Sequence, residues 1–140
     1  MSNQIYNSFK VQSMVGSINL TADSINVILV TSAYTPDIDN HTIYADVASN
    51  EVVGVGYTTS GQTLGGVTVI QNNTTDAAIL DANSVTWTAS TIDAAGAILY
   101  KKDGPTNSYL IGYIDFGEVK SSYNGDFLIE WNLNGILLLS

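Results

Sequence analysis

Apolar and polar positions alternate along most of this chain, and they do so in short runs. Ile25–Thr31 is a run rich in β-branched residues, apolar except for Asn26 and the closing Thr31, the pattern of a strand covered on both faces. Val67–Gln71 and Val85–Thr88 keep a period of two, with Val67 and Val69, then Val85 and Trp87, on one side and threonines between them. Ala77–Asp81, Ile92–Lys101, Tyr109–Gly117, Phe127–Leu133 and Ile136–Leu139 complete the set of predicted strands. Turn chemistry separates them: Asn72-Asn73, Asp81-Ala82-Asn83, Asp103-Gly104-Pro105, Asn124-Gly125 and Asn134-Gly135. The last two are hairpin dipeptides whose residues accept positive φ. About eight short strands at this spacing predict a mainly β fold, an antiparallel β-sandwich or jelly-roll-like barrel.

Helical signals are confined to the first third. Ile5, Phe9 and Val11 or Met14 fall near helical spacing, and Gly16 sits where a helix-terminating glycine belongs. The pattern predicts a short N-terminal α-helix or arm within residues 1–16, and a weaker helix around Thr42–Ser49 after the Pro36–Asn40 loop. Val53–Gly66 stands apart, with five glycines and no charge. It reads either as a long bulged loop or as an extended arm reaching a neighbouring subunit, since glycine lets backbones approach closely. No internal repeat or linker divides the chain, so residues 1–140 are expected to form a single β-sandwich domain.

Composition narrows the function by exclusion. The chain has 4 Lys+Arg against 13 Asp+Glu, giving a net charge of −9, and no cation lies between Lys10 and Lys101. Neither nucleic acid nor an anionic membrane is an expected partner, because both demand clustered cations. No apolar run approaches the roughly 20 residues of a membrane-spanning helix, and Met1–Lys10 lacks the form of a signal peptide. With no cysteine there is no disulfide scaffold, thiol chemistry or Cys-based zinc site. These features predict a soluble protein made in a cytoplasm.

Catalytic patterns are sparse. His41 is the sole imidazole, and no serine lies in a Gly-x-Ser-x-Gly elbow. Asp37, Asp39 and His41 mimic the start of a calcium loop, but Thr42 and Ala48 stand where the EF-hand needs Gly and Glu. A turn in which Asp37 bonds its own backbone is the expected alternative. Asp115 and Glu130, on strands that could neighbour, are the one conceivable glycosidase-like pair. The glycine-rich segment is no phosphate cradle, because Gly54-x-Gly56 lacks both the third glycine and a following Lys. The chain is therefore not expected to be an enzyme, and neither cofactor nor metal is expected.

Apolar surface is the remaining clue. Trp87 and Trp131 are expected in the core, while eight tyrosines suit both core edges and interfaces. The ending Ile136-Leu137-Leu138-Leu139 cannot place every side chain on one side of a strand, so either both faces are covered within the chain or a partner covers one, and an oligomer is expected.

Several stretches together resemble a family of small virion structural proteins of tailed double-stranded-DNA bacteriophages. They are Ile5–Lys10, Ile28–Asp37, Asn50–Thr58, Val85-Thr86-Trp87, Gly96–Tyr100, Leu110–Gly117 and the Gly125…Trp131…Gly135-Ile136-Leu137 ending, in order across nearly the whole chain. The resemblance transfers no catalytic site. It implies a head decoration (cement) protein, made in the bacterial host cytoplasm and seated on the outer head surface of the virion. Its expected partners are the major capsid protein and further copies of itself, in a homo-oligomer expected to be a trimer. The residues expected to make contact are Tyr6 and Phe9, then Tyr57, Thr58, Gly61 and Leu64 of the glycine-rich segment, with Ile136 and Leu138 serving the oligomer. On the arm reading, a chain lacking Gly54–Gly65 folds but binds capsids weakly. The alternative is a tail, baseplate or fibre component that binds host-surface sugar through Tyr, Trp, Asp and Asn.

Overall fold

The computed structural model describes residues 3–139. Its strands are β1 (Asn3–Ile5), β2 (Ile25–Val30), β3 (Gln62–Thr63), β4 (Thr68–Asn72), β5 (Ala77–Asp81), β6 (Val85–Lys101), β7 (Leu110–Ile129) and β8 (Leu137–Leu139). Two helices join them, α1 (Asn7–Met14) and the single turn α2 (Gly104–Asn107). The strands form two antiparallel sheets, of order β1-β7-β6-β2-β3 and β4-β5-β8. The fold is thus mainly β with a short N-terminal helix, compatible with a sandwich. One apolar core joins the sheets, drawing Val27, Leu29, Leu99 and Ile111 from the larger and Leu80 and Leu137 from the smaller.

The β-branched run of β2 has the expected meaning. All six of its residues are buried. Val27 and Leu29 face the shared core, opposite Leu99 and Ala97 of β6. Ile28 and Val30 face a second core with Tyr6, Tyr34, Val47, Ile98, Tyr100, Leu110 and Tyr113. The long excursion between β2 and β3 supplies Tyr34 and Val47 to this second core, so the larger sheet is covered on both sides.

Helix α1 ends as Gly16 suggested. With Gly16 at φ 81°, its N–H meets the Ser13 carbonyl at 3.2 Å and the Ser17 N–H meets the Gln12 carbonyl at 2.8 Å, the paired bonds of a Schellman motif. Only Phe9 of this helix is buried, while Val11 and Met14 face outward. The helix expected at Thr42–Ser49 is instead two 3-10 turns, Tyr44–Asp46 and Ala48–Asn50. The Asp46 carboxylate accepts the backbone N–H of Thr42 and Ile43, at 2.9 and 3.1 Å. That pull toward the turn's own start favours a tight turn over a continued helix.

The larger departure concerns strand length. Val85–Thr88 and Ile92–Lys101 merge into β6, and Tyr109–Gly117 merges with the start of the expected Phe127–Leu133 strand to form β7, which stops at Ile129. Asn124-Gly125 is no hairpin turn. The two strands pair straight past it, with register shifts on either side of Ser90↔Gly125. Asn124 at φ 48° and Ala89 at φ 47° form bulges there, and Gly117 at φ 81° lies within another between Asp115 and Lys120. Positive φ suits a bulge as well as a turn, so the dipeptide alone does not choose between them.

Candidate functional site

The glycine-rich segment lies on its own sheet rather than reaching outward as an arm. Gln62 and Thr63 pair with Val27 and Asn26 as strand β3, and Val55 bridges to Thr91 of β6. Gly61, at φ 75°, sits so close that a Cβ would collide with the Val27 carbonyl oxygen, and a Cβ at Gly56 would meet the Ser90 backbone. The glycines therefore serve close approach within the chain. Gly54–Gly65 carries part of the sheet, so its deletion is expected to cost the fold rather than spare it.

A buried carboxylate anchors the same segment. Glu51 is 8% exposed and accepts hydrogen bonds from the Tyr44 hydroxyl, the Tyr57 hydroxyl at 2.6 Å and the Ser60 N–H at 2.9 Å. The Ser60 carbonyl in turn accepts Tyr100 Oη at 2.8 Å and Asn26 Nδ2 at 3.0 Å, while Tyr44 stacks on Tyr100 at 4.9 Å between centroids. Burial, followed by the Glu51 contact, raises the pKa of Tyr44 and of Tyr57 well above the ordinary phenol value. With its acceptors occupied by donors of the chain, Glu51 is a structural anchor for the loop.

The remaining polar candidates also bond inward. His41 Nδ1 meets Tyr34 Oη at 3.0 Å, and Tyr34 Oη meets Tyr6 Oη at 2.6 Å inside the second core. Asp37 bonds the backbone N–H groups of Asp39 and Asn40 and the Asn40 side chain, so it forms the expected turn. Among the described residues no group of three or more metal-ligating side chains comes together. Asp115 accepts the Gly117 N–H at 2.8 Å, holding the β7 bulge, and does not line the groove that contains Glu130.

Two concave surfaces lie outside these networks. The first is an apolar cleft of about 400 Å3 between α1 with its following loop and the inner face of the small sheet. Phe9, Ile18, Leu20, Val69, Leu137 and Leu139 are among its walls. Val69 and Leu139 remain exposed at its rim, and Met14 and Val15 project from the end of α1 nearby. The second is a mixed groove of about 540 Å3 along the free side of β7, with Phe116, Trp131, Asp126, Glu130, Asn132 and Asn3 among its walls. Trp131 is half-buried rather than enclosed, and its indole N–H donates to the Asn83 carbonyl at 2.9 Å.

These surfaces sort the expected contact residues. Tyr6, Phe9, Leu64 and Ile136 are buried in the chain's own cores, and Tyr57 is held by Glu51. Gly61 is pinned against β2, whereas Thr58 and Leu138 stay exposed. Of the expected contact residues only Phe9 lines the cleft, whose exposed walls, Val69 and Leu139, come from separated segments. No protein-family model, no curated protein and no solved structure matches this chain. Among the described residues no helix is long and apolar enough to cross a membrane.

Proposed function

We propose that this chain is a structural protein of a tailed-phage virion, a head decoration protein that seats on the outer capsid lattice and bridges neighbouring capsid subunits. The observation that supports this reading is the apolar cleft between α1 and the small sheet, with Val69 and Leu139 exposed among its walls. A chain of net charge −9 with only four cations gives its surface mostly to acids, hydroxyls and amides. An apolar cleft on such a surface is suited to an apolar segment of a capsid subunit. Bridging adds buried area across the joints between capsomers and so opposes rupture by packaged DNA. The acidic exterior repels DNA and other particles.

The groove beside β7 favours a second reading, a tail or fibre component that binds host-surface sugar. Phe116 and Trp131 offer ring faces, and Asp126, Glu130, Asn132 and Asn3 offer hydrogen-bond partners to hydroxyls. Immunogold electron microscopy of intact virions, using antibody against the purified chain, separates the two. Label over the whole head is the expected result. Label confined to the tail would favour sugar binding, and virions without label would overturn both readings.

A further inference from the structure

The two sheets leave different edges open. Strand β7 is flanked by β1 only at Gly112–Ile114, so its edge runs free from Asp115 onward. That edge is blunted: bulges interrupt it around Gly117 and Asn124, and it carries Glu118, Lys120 and Asp126. Charges and bulges are the usual means by which proteins stop edges from pairing with other chains. Strand β4 has neither. Thr68-Val69-Ile70-Gln71-Asn72 pairs with β5 in unbroken register, holds no Gly, Pro or charge, and lies in an uncharged stretch from Val52 to Thr75. Among the described residues no strand pairs with its outer edge.

We propose that β4 pairs with β4 of a second copy of this chain, antiparallel about a two-fold axis at Ile70, joining two three-stranded sheets into one of six strands. Two copies of net charge −9 repel one another over most of their surfaces, and an uncharged strand is where they meet at least electrostatic cost. The register is self-complementary. Ile70 lies opposite Ile79, which lies opposite Leu138. Ile70 and Leu138 are 57% and 46% exposed. Pairing at Ile70 makes these three residues and their three symmetry mates one apolar row across the joined sheet, the side-chain pairing that stabilises antiparallel strands. On the opposite face, Val69 comes beside Gln71 of the second copy. Asp81, opposite Thr68 at the far end of the strand, stays clear of the axis. Pairing of identical antiparallel edges is closed and two-fold, so it gives a dimer in place of the expected trimer. The inference does not rest on the virion reading, because it concerns the chain's own edge.

Sedimentation velocity of the full chain from about 10 μM to about 1 mM spans the affinities of a small interface. The expected result is a concentration-dependent shift from 14.9 kDa to twice that mass, abolished in Ile70→Lys while the far-ultraviolet circular dichroism is unchanged. Because the natural chain has no cysteine, Ile70→Cys gives a second reading of register. Mild oxidation should convert it to a disulfide dimer, whereas Tyr123→Cys, on the blunted edge and 83% exposed, should stay largely monomeric. A monomer at all concentrations, a trimer, a dimer indifferent to Ile70→Lys, or equal cross-linking of the two cysteine variants would overturn the proposal. Failure here leaves immunogold labelling of the head unaffected, so the two readings fail separately.

Discussion

The larger and smaller sheets share a core but differ in what surrounds them. Strand β2, inside the larger sheet, is buried at every residue, with a core on each side and a tethered glycine-rich loop at its flank. Strand β4, at the margin of the smaller sheet, is exposed at four of its five residues although Val69 and Ile70 are as apolar as anything in β2. Burial of apolar area is the main source of folding free energy, so the larger sheet carries most of the stability. Exposed apolar residues on an unblunted edge contribute little to the monomer and are available to a partner. The difference separates a scaffold from an association surface within one small chain.

The broadest way to break the scaffold is alkali. Burial raises the pKa values of Tyr6, Tyr34, Tyr44, Tyr57, Tyr100 and Tyr113 above the ordinary value of 10.0. The folded state therefore keeps protons that the unfolded chain loses. Their stabilisation is complete below pH 10 and is lost as pH rises through the folded values. Tyrosinate absorbance and far-ultraviolet circular dichroism are expected to change together in one cooperative step above pH 10. Gradual ionisation of these phenols with the fold intact would show that the tyrosines are not structural.

Single substitutions sharpen the contrast. Leu99→Ala, near the C-terminal end of β6 and fully buried, should lower urea stability by about 3–5 kcal/mol. Glu51→Ala leaves the Tyr44 and Tyr57 hydroxyls without their acceptor and should cost about 2–4 kcal/mol. Limited proteolysis of that variant is expected to cut first within Val53–Gly66, since the carboxylate tethers the segment. Ile70→Thr keeps a β-branched residue on the exposed strand and should change monomer stability by about 0.5 kcal/mol or less, measured by urea titration at low concentration. A large loss there would place β4 in the scaffold instead.

Much of the scaffold is legible in the sequence, because its signals are local. The run at Ile25–Val30 encodes burial on both faces, and Gly16 encodes the end of α1. Asn72-Asn73 marks the reversal from β4 into β5, whereas Asn134-Gly135 turns the chain from β7 of the larger sheet into β8 of the smaller and is not the hairpin its residues suggest. Asn124-Gly125 misleads because a bulge and a hairpin turn both need positive φ, and only the long partner strand β6 decides between them. The three-residue β1 and two-residue β3 are too short to show a period. The candidate surfaces are harder still. The cleft is walled by segments near residues 5–21, 69–80 and 137–139, and Glu51 gains its meaning from Tyr44, Tyr57 and Ser60 through side-chain geometry. Tyr6 and Phe9 have the chemistry of interface residues, yet the pairing of β1 with β7 and the docking of α1 enclose them.

Hydrogen–deuterium exchange of the full chain, at low and at high concentration, tests the division of labour most directly. Amides of Ile25–Val30 and Ile98–Tyr100 are expected to stay strongly protected at both concentrations. Amides of Thr68–Asn72 should exchange quickly when dilute and gain protection when concentrated. Equal protection of β4 at both concentrations, or loss of β2 protection in step with β4, would contradict it.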